Sequence, residues 1–113
     1  MPFGPAAALL LALALGQAAA AAGVMGAAPV KPYGEAVAVA RQAASAVLAR
    51  SGKESCLRGK LTRALLGLSA SCEAGGLQTL LCGIADRAVV VPSWTLPFMD
   101  STAQQLLAAI PAP

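Results

Sequence analysis

Residues 71–82, SCEAGGLQTLLC, place one cysteine on each side of a Gly-Gly turn. On both sides of the glycines, apolar residues recur about every three or four positions, which is the pattern of amphipathic helices. Glycine ends helices because it adopts backbone conformations that other residues disfavour. The stretch therefore predicts a connection between two helices, in which a loop cysteine, Cys72, can fold back onto Cys82 in the second helix.

Four segments have the composition and periodicity of short amphipathic helices, at residues 35–50, 54–68, 77–86 and 100–110. Gly67 and the residues that follow it are predicted to end the second helix. Ser51 and Glu54 have the spacing of a capping box, which predicts the start of that helix. Ser101 with Gln104 has the same spacing, and Asp100 is a competing cap, so the last helix is predicted to begin there.

Residues 88–91, AVVV, change the pattern, because three successive valines before a proline favour extended backbone. Trp94, Leu96 and Phe98 follow in a loop and are predicted to fold back over the helices as the main aromatic part of the core. One short extended segment cannot make a sheet. The predicted fold class is all-α, a small bundle of about four short helices with one extended segment.

The first thirty residues predict targeting rather than folding. Ala6 to Leu15 is an uncharged apolar run, too short for the about twenty residues that span a bilayer, and small residues follow it. This is typical of a signal peptide over residues 1–28, although its start lacks the usual basic side chains. The alternative is an uncleaved anchor over residues 6–30. A linker at 29–34 and a helical domain at 35–113 complete the predicted organisation.

The cysteines at 56, 72 and 82 are too widely spaced for the close pairs typical of zinc sites, and histidine is absent, so no metal or other cofactor is expected. If the second and third helices pack antiparallel, Cys56 and Cys82 are offset by roughly 10 Å, beyond the ~7 Å Cα separation that a disulfide allows. The favoured pairing is Cys72 with Cys82. A bridge involving Cys56, or three reduced thiols, remain alternatives.

Helix geometry places Cys56 and Cys82 away from the leucine stripes of their helices, so neither is expected in the core. The stripe predicted to face the core in the third helix is Leu77, Leu80, Leu81 and Ile84. Pairing of Cys72 with Cys82 leaves Cys56 as a free thiol. It lies near a helix N-terminus among basic residues, surroundings typical of reactive cysteines. Cys56 is therefore the candidate for a thiol-based redox function or an intermolecular bridge.

Residues 50–63 hold five of the eight basic residues and form a candidate contact face for another protein or an anionic membrane surface: Arg50, Lys53, Arg58, Lys60 and Arg63. The net charge of +3 and the low aromatic content of 4% argue against specific nucleic-acid binding.

Without histidine the chain cannot hold a Ser-His-Asp triad, and its few acidic residues argue against an enzyme. The sequence thus predicts an exported, non-enzymatic binding or structural protein with an unknown partner. A membrane-anchored accessory subunit of a larger complex is the alternative, and a redox protein using Cys56 is a third hypothesis.

Overall fold

A computed structural model describes residues 29–111 of the 113-residue chain. The predicted signal peptide at 1–28 lies outside these residues, as does the alternative anchor at 6–30 except for its last two positions. The described part contains four α-helices: α1 (Tyr33–Ala49), α2 (Glu54–Gly75), α3 (Leu80–Val89) and α4 (Leu96–Ala109). It contains no strand, so the all-α fold class is confirmed. None of these four helices is long and apolar enough to cross a bilayer.

Successive helices alternate in direction around the bundle. The Tyr33 hydroxyl at the start of α1 lies 2.9 Å from Oγ1 of Thr79, which follows α2, so α1 and α2 are antiparallel. Arg50 at the end of α1 contacts Asp100 near the start of α4, so these two helices are antiparallel as well. α3 packs on α2 and α4, which closes the four-helix arrangement.

The core is built on the leucine stripe of α2. Full burial of a leucine stabilises a fold by about 1.5–3 kcal/mol, so this stripe dominates the stabilisation from apolar burial. α1 contributes mainly alanines, each of which buries little apolar area. The largest fully buried side chains are Leu57, Leu61, Leu65, Leu68, Met99, Leu106, Val47 and Cys82.

The connection between α1 and α2 includes Ser51, the first residue of the predicted capping box. Arg50 has φ of 54°, in the left-handed region, and the Ser51 N–H donates to the carbonyl of Ala46. Ser51 therefore completes the last turn of α1 and does not cap α2. The backbone N-cap of α2 is Lys53, which makes no side-chain capping bond, so the predicted capping box is wrong.

α2 runs through Gly67 and ends at Gly75, so the predicted end near Leu68 is wrong. A glycine inside a helix costs only about 1 kcal/mol, less than the burial of the side chains that follow it. Ser71 and Cys72 continue the buried stripe by one further turn. Gly76, with φ of 62°, ends the helix in the left-handed conformation that glycine favours.

α3 begins later than the predicted Leu77, because Thr79 caps it: its Oγ1 accepts from the Cys82 N–H at 3.2 Å. The later start leaves Leu77 and Leu80 exposed, at 37% and 68%, although both were predicted to face the core. The buried face of α3 is instead Leu81, Cys82, Ile84, Ala85 and Ala88.

The predicted extended segment at 88–91 is absent, because α3 continues through Val89 and a turn follows it before Pro92. α4 begins at Leu96, earlier than the predicted start at Asp100 or Ser101. Its cap is Thr95, whose Oγ1 accepts from the Phe98 N–H at 3.3 Å. Ser101 therefore lies inside the helix, and its predicted capping role is wrong.

Candidate functional site

Cys72 and Cys82 face each other where the end of α2 meets the start of α3. Their sulfurs lie 2.02 Å apart and their Cα atoms 5.8 Å apart, the separation typical of a disulfide. This is the pair that the sequence favours. Cys72 lies within α2, so its predicted position in a loop is wrong. Cys72 and Cys82 are buried, at 2% and 1% exposure, so the prediction that Cys82 lies outside the core is wrong as well.

Cys82 is buried where α3 meets the end of α2. Cys72, which lies beyond the predicted helix end at Leu68, is the α2 residue that contacts it. Thr79 adds a polar contact, since its hydroxyl lies 3.1 Å from the Cys82 sulfur and 2.9 Å from the Tyr33 hydroxyl. The start of α1, the end of α2 and the start of α3 therefore meet at the cysteine pair.

Cys56 lies in the first turn of α2, exposed and unpaired. It is separated from the cysteine pair by most of the length of α2. Within residues 29–111 the other two cysteines pair with each other, so no second cysteine in this part of the chain is available to Cys56.

Two of the five predicted contact residues are engaged within the protein. Arg50 donates to both carboxylate oxygens of Asp100, at 2.6 and 2.8 Å, and to the Val47 carbonyl at 2.8 Å. The hydrogen bond from Arg50 has the largest effect and lowers the pKa of Asp100; desolvation opposes it, and the charge of Arg50 adds a smaller lowering. Arg58 pairs with Glu54 at 2.7 Å and donates to a backbone carbonyl at 2.7 Å. These two arginines therefore hold elements together.

Lys60 and Arg63 lie elsewhere, on the rim of a groove of about 420 Å³ between α1 and α2. Lys31, just before α1, joins them on the rim. Within residues 29–111, ion pairs hold Arg50 and Arg58 but none of these three cations. The remaining predicted contact residue, Lys53, is exposed and does not line the groove.

The groove has an apolar floor of small side chains. α1 supplies four residues at helical spacing and α2 supplies two, and the uncharged polar side chain of Gln42 lies at the edge. The floor consists of Ala36, Val39, Ala43, Ala46, Ala64 and Gly67. An apolar trough with an unpaired basic rim has the chemistry to bind an anionic group attached to an apolar body.

Lys60 and Arg63 were predicted as contact residues from the sequence, but the groove and the position of Lys31 on its rim were not. The available signal was the small size of the α1 residues on the side that faces α2, together with Ala64 and Gly67 one turn from Lys60 and Arg63. Small residues in both helices can also pack tightly and leave no space. Only the relative position of α1 and α2 shows that a groove is present.

Trp94 and Phe98 lie at the edge of the core rather than inside it. Their rings contact each other edge to face, with centroids 5.3 Å apart at 66°, and both are partly buried. Met99, next to Phe98, fills the buried position that the aromatic residues were expected to take. Trp94 lies near the Arg58 guanidinium, which donates to its carbonyl, and does not line the groove between α1 and α2.

Comparison of the chain with protein-family models, with curated proteins and with solved structures found no match.

Proposed function

We propose that the chain is a small, exported, non-enzymatic binding protein that works in an oxidising compartment. The observation that carries this proposal is the pair of buried cysteines, Cys72 and Cys82, whose Cα atoms are 5.8 Å apart across the junction of α2 and α3. Structural disulfides persist in oxidising compartments and are rare where thiols are kept reduced.

A bridge at this point suits a domain of this size. Small domains bury a low fraction of their surface and are marginally stable, and disulfides offset this in many secreted proteins. Closing ten residues of chain stabilises the folded state by about 2–3 kcal/mol in the chain-entropy account. The uncharged run from Ala6 to Leu15 supports export independently, because it has the length of a signal-peptide core.

A binding role is supported by the groove between α1 and α2. Its apolar floor and its rim cations, Lys31, Lys60 and Arg63, which form no ion pair with the part of the chain that the structure describes, are features that folding alone does not require. The residue inventory supports a role without catalysis, since the chain has no histidine to act as a base near neutral pH.

The test of export is the N-terminus and the cellular fraction of the protein in its own cells. The proposal expects a mature chain that begins between about residues 19 and 30, outside the cytosol, with signal-peptide cleavage as the cause. An intact N-terminus in the membrane fraction contradicts cleavage and establishes the anchored accessory subunit instead. An intact N-terminus in the cytosol contradicts both.

The thiol-based alternative is tested by Cys56→Ser in the same cells. The proposal expects this variant to complement loss of the protein fully, because the exposed thiol takes no part in binding. Loss of complementation by a variant with unchanged thermal unfolding establishes a role for the thiol. Ser55→Ala, at the neighbouring exposed position, is the matched control.

A further inference from the structure

We propose that the groove between α1 and α2 binds a fatty-acid carboxylate, a single-chain anionic amphiphile free in solution. The carboxylate lies between Lys60 and Arg63, and the alkyl chain follows the floor toward Ala36. This inference rests on the proposed binding function and names the ligand class for it.

The floor suits an alkyl chain. Ala36 and Ala46 mark its ends on α1, and ten residues of helix correspond to about 15 Å. The floor offers no charged group, and a polymethylene chain needs no hydrogen bonds. The volume of about 420 Å³ lies within the roughly 300–1,000 Å³ range of small-molecule sites.

The same floor is poorly suited to a partner protein. Protein interfaces depend on a few large anchors, most often Trp, Tyr or Arg, that bury extensive area in a packed centre. This floor consists of alanines, one glycine and Val39, and among residues 29–111 no aromatic side chain lines the groove. A small apolar ligand gains from such a surface because its whole chain fits inside the trough.

The rim selects an anionic head. Lys60 and Arg63 are three positions apart on α2, so their side chains leave the helix on the same side. Both are exposed, and within the described residues neither has a carboxylate within 4.0 Å. The nearest acidic residue in sequence to Lys31, Glu35, does not line the groove. A carboxylate held by an ammonium and a guanidinium makes charge-assisted hydrogen bonds, which are stronger than neutral ones.

Isothermal titration of the protein purified from its own cells, with three amphiphiles of equal chain length, tests the assignment. The probes are dodecanoate, dodecyl maltoside and dodecyltrimethylammonium, each below its micelle concentration. We expect saturable binding of one dodecanoate, at least about tenfold tighter than either of the other two, because only its head is complementary to the rim.

Two variants locate the binding. Lys60→Gln with Arg63→Gln is expected to weaken dodecanoate binding at least about tenfold, whereas Lys53→Gln with Arg87→Gln removes the same charge away from the groove and leaves it unchanged. Gly67→Leu is expected to abolish binding, since a Cβ at Gly67 meets no atom within 4 Å and the longer side chain then occupies the groove. Its thermal unfolding temperature should be equal or higher, because glycine is unfavourable inside a helix.

Equal affinity for the three amphiphiles, or full binding by Gly67→Leu, overturns the proposal. Binding to phosphatidylglycerol vesicles without binding of monomeric dodecanoate also overturns it, because that result indicates attraction to a membrane surface. The proposed function fails separately. If the protein is exported and carries its disulfide but does not bind dodecanoate, only the ligand assignment is wrong. If the protein is cytosolic with an intact N-terminus, export is wrong, and binding of dodecanoate to the groove is unaffected by that result.

Discussion

Arg50 joins three parts of the molecule through one side chain. Its backbone adopts a left-handed conformation that ends α1, and its guanidinium donates to the Val47 carbonyl in the same turn. The same guanidinium contacts both carboxylate oxygens of Asp100 on α4. A cation at a helix C-terminus also interacts favourably with the helix dipole. Arg50 therefore fixes where α1 ends relative to α4, although it was predicted as a contact for other molecules.

The Arg50–Asp100 pair predicts a pH-dependent contribution to stability. The pKa of Asp100 is lowered from its usual value near 3.8, first by its hydrogen bond with Arg50. A carboxyl whose pKa is lower in the folded state stabilises the protein above its unfolded pKa, and this contribution disappears as the pH falls through the folded pKa. Asp100→Asn should therefore lower the urea midpoint at neutral pH, with the difference from the parent protein shrinking below about pH 4.

The control for this prediction is Glu73→Gln, which removes an exposed carboxylate that forms no ion pair among residues 29–111. Its urea midpoint should follow that of the parent protein across the same pH range. If the urea midpoints of Asp100→Asn and the parent protein differ by a constant amount from neutral pH to strong acid, the Arg50–Asp100 pair makes no pH-dependent contribution to stability.

At the scale of single elements, α2 carries most of the core. Its stripe from Leu57 to Leu68 could be predicted from spacing alone, because apolar residues at helical intervals need a partner surface. Its last two turns could not, because Ser, Cys and Gly interrupt the alanines there with weak helix preferences and the buried contacts of Ser71 and Cys72 are not visible in the sequence. The starts of α3 and α4 were predicted wrongly for a different reason. Thr79 and Thr95 cap these helices through their hydroxyl oxygens, without the Glu or Gln partner that marks a capping box in a sequence.

Two neighbouring leucines of α2 test which side of the helix the core occupies. Leu68 is fully buried and Leu66 is 51% exposed. Leu68→Ala should lower the free energy of unfolding by about 2–5 kcal/mol, whereas Leu66→Ala should change it by about 0.5 kcal/mol or less. Chemical denaturation of both variants measures this difference. Equal losses in the two variants contradict the helix orientation described above.

The bridge matters most to α3, which has ten residues. Isolated helices shorter than about 12–15 residues are marginal in water, so α3 depends on its packing and on its attachment to α2. Its N-terminal turn contains Cys82 and is capped by Thr79. Loss of the bridge therefore acts first on α3, and the cap and the buried face of the helix remain as its other restraints.

Replacing both bridged cysteines by alanine should lower the free energy of unfolding by about 2–3 kcal/mol. Cys56→Ser, an exposed substitution, should change it by about 0.5 kcal/mol or less. Hydrogen exchange of the double variant should show the largest loss of protection in residues 80–89, since local openings are lowest in free energy where an element is least restrained. Loss of protection that is uniform across all four helices contradicts this local role.

At the scale of the whole molecule, alanine-rich helices give a bundle that is closely packed but gains little from each buried side chain. The fold class was predictable because helical periodicity is the main signal in this sequence. The candidate site was predictable only in part: Lys60 and Arg63 follow from the local density of charge, whereas the groove depends on how far apart two helices pack. Cys82 was wrongly placed on the exposed side of its helix for another reason: α2 extends beyond Leu68, so that its Cys72 lies against Cys82.

Export and the Cys72–Cys82 disulfide are tested together by the intact mass of the native protein after alkylation under denaturing conditions without reduction. We expect a chain shortened at its N-terminus that takes up one alkyl group, at Cys56, and takes up three after reduction. An unshortened chain that takes up three alkyl groups without reduction contradicts both the export and the bridge.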